Sequence, residues 1–129
     1  MFGLFKRKKP ANALDELIIA TYGNPPPPKR ANLHEAVLLA HEELLQGLVS
    51  TQDIKQLASA LDEGPIPYST HDLAISVALS FFREPDRHDI LKDAQLLARV
   101  KALEWAKEQK VAKLILKTFE DDLYERYKP

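Results

Sequence analysis

The chain has 129 residues, 45% apolar and 29% charged, with a net charge of −1 and no cysteine. That length suits one domain with a full core rather than two, and the composition is that of an ordinary soluble globular protein. Without cysteine there is no disulfide framework, no thiol nucleophile and no Cys-ligated metal, and a reducing cytoplasm fits.

The charge is unevenly placed. Residues 1–30 hold six basic residues against two acidic, and residues 31–129 hold twelve against seventeen. A mildly acidic body speaks against a nucleic-acid-binding domain, which shows a basic face. Residues 1–11 read as a tail in which Phe2, Leu4 and Phe5 precede Lys6, Arg7, Lys8 and Lys9. A secretory signal has the opposite order and a longer apolar run. Myristoylation needs glycine where Phe2 stands. The tail is expected to be a solubilising terminus or, as a second reading, a contact to an anionic membrane. In that reading each cation contributes about 1 kcal/mol at the headgroups and each inserted apolar side chain roughly 1.5–3 kcal/mol.

Residues 12–129 read as a single all-α domain. Asn12 can cap a first helix to Tyr22 with Leu14, Leu17, Ile18 and Thr21 on one side, and Gly23 stops it. Residues 23–31 form a proline-rich connector whose four prolines favour polyproline II. Pro25, Pro28 and Arg30 fit the Pro-x-x-Pro-x-basic ligand pattern, although a stiff spacer explains them more plainly. Asn32 and Glu35 have capping-box spacing and open a second helix to about Gln46, with Val37, Ala40 and Leu44 inward. Ser50 or Thr51 caps a third, one-sided helix carrying Ile54, Leu57, Ala58 and Leu61.

The stretch 69–83 organises the rest. Between Leu73 and Phe82 only Ser76 and Ser80 are polar, so a helix here is apolar around most of its circumference and belongs in a core. Ten residues are far short of the roughly 20 a membrane span requires. Ser69, Asp72, Ser76, Ser80 and Arg83 share a narrow stripe, where small serines admit a neighbouring helix and bond carbonyls one turn back. Glu84-Pro85 ends this helix.

Residues 86–128 contain neither glycine nor proline. One helix is expected from an Asp86 cap to about Glu108, and another from about Val111, with a break at Gln109–Lys110. The first carries two apolar stripes. The broader one, with Ile90, Leu91, Ala94, Leu97, Ala98 and Trp105, is expected to pack inward. The opposite one, Leu96, Val100 and Leu103 with Lys92, Asp93, Arg99 and Lys107 at its border, has the look of a helix-to-helix contact surface. A six-helix chain has elements to spare, so residues 111–127 folding back are expected to cover it; the alternative is a partner or a second copy. The whole is a compact bundle of about six helices around the buried central one.

No catalytic, cofactor-binding or metal-ligating set is expected. His34 and His41 are about 10.5 Å apart along one face, too far to share an ion at ordinary ligand distances of about 2.1 Å. Ser69, Thr70, His71 and Asp72 include acyl-transfer residue types, but helix capping explains them. A helix-turn-helix reading fails because the would-be reading helix carries almost no donors for bases. The expectation is a non-catalytic, cytoplasmic helical protein working through a protein partner or a second copy of itself. A peripheral membrane protein using its tail is the alternative, and nucleic acid is not expected.

Overall fold

A computed structural model describes residues 9–11, 13–61 and 64–129. Asn12, the side chain of Leu14 and the tail residues Phe2, Leu4, Phe5, Lys6, Arg7 and Lys8 lie outside the described residues, while Lys9 is exposed. The elements run α1 (Ala13–Tyr22), α2 (Leu33–Ala40), a π-helical continuation (His41–Leu45), α3 (Thr51–Ala60), α4 (Thr70–Phe81), a 3-10 turn (Pro85–Arg87), α5 (Ile90–Ala102), α6 (Glu104–Glu108) and α7 (Lys110–Tyr127). Among the described residues every regular element is helical, as the apolar periodicity requires.

Capping sets several boundaries. The Asn32, Ser50 and Ser69 side chains accept from the backbone N–H of Glu35, Asp53 and Asp72, at 3.3, 3.1 and 3.0 Å. Each satisfies a donor that the first helical turn leaves unpaired. The connector docks rather than floats, since the N–H groups of Arg30 and Ala31 both donate to the Ile66 carbonyl at 2.8 and 2.9 Å. α4 sits at the centre, with Leu73, Ala74, Ile75, Val77, Ala78 and Leu79 buried. α2 packs along it with Ala36, Val37 and Ala40, and the π-helical turn then buries both Leu44 and Leu45.

The second half departs from expectation in two ways. The α5 cap is Asp89, which accepts from Leu91 and Lys92 N–H at 3.0 and 3.2 Å. Asp86 instead lies inside the 3-10 turn that Pro85 opens. The expected break at Gln109 is present, and Leu103 adds another, both extended at ψ 120° and 126°. The reason is phase. In a continuous helix Val100 and Ala106 would point about 120° apart. One extended residue between them lets both become buried. The six expected helices therefore become seven α-helical pieces among the described residues.

The larger correction concerns the faces of α5. Leu96 and Val100 are completely buried and Leu103 is half-buried against the core, so these three do not form a partner surface. α7 folds back over them. Asp93 accepts from the Tyr127 hydroxyl at 2.6 Å and faces Arg126 at 3.7 Å, while Lys101 pairs with Glu120 at 2.7 Å. Arg99 reaches across to the carbonyls of Leu44 and Gln46 at 3.1 and 2.6 Å. Asp93 and Arg99, expected at a solvated border, are thus anchors to neighbouring elements.

Candidate functional site

Two apolar openings stand out among the described residues. The first is a groove of about 540 Å³ along α4. Leu73, Ser76, Val77 and Ser80 form its floor, α1 contributes Leu17 and Ala20 as one wall, and α7 contributes Ile115, Thr118 and Phe119 as the other. Two of its three hydroxyls are turned inward on their own helices. Ser80 donates to the Val77 carbonyl at 2.7 Å and Thr118 to the Leu114 carbonyl at 2.9 Å. The serine bonds three residues back rather than four. With those donors engaged, the groove presents mainly carbon. Its charged lining residues are Glu16 and Arg83, and Arg83 is held by Asp122 at 2.8 Å.

The second is a seam of about 380 Å³ between α5 and the end of α7, lined by Ile90, Ala94 and Leu97 on one side and Leu123, Tyr124 and Tyr127 on the other. Ile90, Leu91 and Tyr124 are between 62% and 71% exposed. This is the broad α5 stripe that the sequence pattern assigned to the interior. Ala94 and Ala98 are exposed and Leu97 and Trp105 half-buried, with the Trp105 ring 4.7 Å from that of His71. Counting apolar residues per stripe favours the wrong face. The signal that decides is the pair Arg126 and Tyr127, which gives α7 two donors for an acid on α5.

A buried polar cluster lies at the head of α4. The Tyr68 ring is fully buried, with its centroid 6.0 Å from that of Tyr22. Burial first, then the neighbouring Tyr22 and Asp72, push the Tyr68 hydroxyl well above its ordinary value. Burial also raises the Asp72 carboxyl, against the lowering effect of hydrogen bonds from Ser69 and the Ala112 backbone and of nearby His71. The Tyr68 hydroxyl and Asp72 Oδ1 have no hydrogen-bond partner among the described residues. Neither residue lines the groove or the seam.

His34 takes a structural position. His34 Nδ1 lies 3.0 Å from the Ala58 carbonyl, tying α2 to α3. Among the described residues no group of three or more His, Asp or Glu side chains is placed to hold a metal ion. Likewise, no helix among them is long and apolar enough to cross a membrane. Comparison of the chain with protein-family models, with curated proteins and with solved structures finds no match in any of the three.

Proposed function

We propose that this chain is a small non-catalytic helical protein, cytoplasmic as its cysteine-free sequence suggests, that works by binding an amphipathic helix of a protein partner in the α5–α7 seam. The observation that carries this reading is the exposure of Ile90 and Tyr124 on the two sides of that seam, with exposed Leu91 next to Ile90. Apolar area left in water forgoes about 25 cal/mol per Å², and contiguous exposed patches mark contact surfaces.

The shape favours a helix as occupant. Lys101 with Glu120 and Asp93 with Tyr127 show that α5 and α7 run antiparallel, leaving a straight seam in which a third helix can lie. Ala94 and Ala98 are small enough to let its backbone approach. Lys101–Glu120 and Lys128–Glu125 stand toward opposite ends of the seam, each already paired at 2.7 and 3.1 Å. An occupant therefore needs to bring only an apolar face.

A photo-crosslinking residue placed at Tyr124, and separately at exposed Lys55 on α3, tests this in the native host. The expected result is a discrete protein adduct from position 124 that disappears with Leu91→Glu, and no such adduct from position 55. The same adducts from both positions, or none from position 124, would overturn the reading.

A further inference from the structure

The seam does not end at the Lys101–Glu120 pair. Ile90, Ala94, Leu97 and Lys101 recur at spacings of four, three and four, so they share one stripe of α5. Lys113, Leu116, Glu120, Tyr124 and Tyr127 recur in the same way along α7. Past the pair, both stripes run into a smaller cleft of about 340 Å³ whose floor is Val100, Ala106 and Leu116. Its rim is Lys101, Lys107 and Lys113, and no acid lines it. We propose that the partner helix is acidic at one end. Its apolar face lies along Ile90, Leu97 and Tyr124, and carboxylates of its terminal turn stand over Lys107 and Lys113. This assignment rests on the seam being the docking site, as inferred above.

Charge argues for that occupant. Lys101 is met by Glu120 at 2.7 Å, but among the described residues Lys107 and Lys113 make no ion pair. Both are exposed, and Glu104 and Glu108, their nearest acids in sequence, do not line the cleft. Lys110 and Lys117 flank Lys113 three residues before and four after, on the same side of α7, and are also exposed. Helix stability does not explain this clustering. Each of α1 to α6 has an acid in its first turn, whereas α7 has none and begins at Lys110. The helix dipole disfavours cations near an N-terminus, so carboxylates brought from outside relieve a cost that the fold carries.

Length agrees with charge. From Ile90 to Lys101 is eleven residues, about 16 Å of helix. A partner helix of about three turns covers that distance with its apolar face, and its next turn reaches the lysines. An occupant that stops short of Lys101 needs only the apolar face; one that continues gains the charge pairing. The opposite end of the seam offers no such surplus, since Lys128 is engaged by Glu125 at 3.1 Å. The difference between the two ends fixes which way the partner lies.

The test uses the full chain with a photo-crosslinking residue at Tyr124 in the native host. Lys107→Glu combined with Lys113→Glu should cut the adduct roughly tenfold, the scale of two rim charges lost and then reversed. Lys107→Arg with Lys113→Arg should retain it. So should Lys55→Glu with Lys92→Glu, which makes the same change in net charge away from the cleft. Circular dichroism checks that the double Glu variant is folded, and Lys107→Gln with Lys113→Gln serves if it is not. A crosslinker moved to Lys117 should attach to a partner peptide with two or more Asp or Glu within one helical turn, read by mass spectrometry. An adduct at position 124 that the charge reversal leaves undiminished would overturn the proposal while the seam reading stands. No adduct at position 124 from the parent chain would overturn both. Equal loss from the Lys55 and Lys92 changes would reduce the effect to net charge, and a neutral or basic peptide at position 117 would give the lysines another role; either sinks the proposal. An adduct between two copies of this chain would assign the cleft to self-association instead. Lost binding to phosphatidylserine vesicles with an unchanged adduct would assign the lysines to a membrane.

Discussion

Asp72 in the first turn of α4 and Asp93 in the first turn of α5 are almost equally withdrawn from water, at 3% and 1% exposure, yet their surroundings differ. Asp93 faces a cation and a phenol on α7: Arg126 at 3.7 Å and the Tyr127 hydroxyl at 2.6 Å. Asp72 accepts from the Ser69 hydroxyl at 2.8 Å and has the Ala112 backbone and His71 nearby, yet burial outweighs all three. A carboxylate buried opposite a cation joins two elements, because removing either partner strands the other. A carboxylate whose burial outweighs its favourable contacts is disfavoured in its charged form. The α5–α7 seam is thus fastened by charge, and the head of α4 is held by apolar packing.

The largest expected effect comes from adding a third buried acid with neither kind of partner. Val100 is completely buried beside Leu96 and beneath α7. Val100→Glu should cost several kcal/mol, as burial of an unpaired charge does, and should unfold the monomer in circular dichroism melts. Leu91→Glu, nine residues earlier on the exposed side of the same helix, should leave the melt within about 0.5 kcal/mol of the parent chain. Equal melting of the two variants would mean that the faces of α5 are not distinguished as described.

A smaller effect tests the fastening itself. Tyr127→Phe removes the hydroxyl from Asp93 Oδ2 while leaving Arg126 in reach. Stranding a buried acceptor costs about 1–3 kcal/mol, so denaturant melts should show a loss in that range. The same change should speed hydrogen exchange at the end of α7 while amides in α4 keep their protection. A loss below about 0.5 kcal/mol would place the seam's stability in its apolar contacts instead.

These differences also explain what the sequence made legible. α4 could be placed as the central helix because nearly every direction around it is apolar, so no choice of face was needed; Ala78 and Leu79 are indeed buried. α5 demanded a choice between two apolar stripes. What decides it lies far along the chain, with Tyr127 34 residues from Asp93 and Gln46 53 residues from Arg99. No local pattern reports such anchoring. The break at Leu103 is hidden for the same reason, since it serves the burial of Ala106 rather than any turn preference of its own. The serine stripe on α4 suggested close approach by another element; instead α1 and α7 stand on either side of it and, among the described residues, Ser76 and Ser80 line an open groove.

The smallest expected effect concerns Asp72 and appears in pH dependence rather than in stability at a single pH. Burial raises the folded-state carboxyl above its ordinary value of 3.8. Between the unfolded and the folded pKa, the folded chain holds a proton that the unfolded chain has released. Stability from this group is therefore fully present below the unfolded pKa and declines as pH rises through the folded one. Asp72→Asn keeps an oxygen to accept from Ser69 and Ala112 but carries no charge, so it should lose less stability than the parent chain on going from acid toward neutral pH. Asp93→Asn leaves Asp72 in place and so should keep the decline that Asp72 causes. Paired denaturant melts of the three chains across that pH range decide the matter. If Asp72→Asn follows the parent chain's pH profile, the carboxylate at the head of α4 is solvated well enough to ionise freely, and the contrast with Asp93 fails.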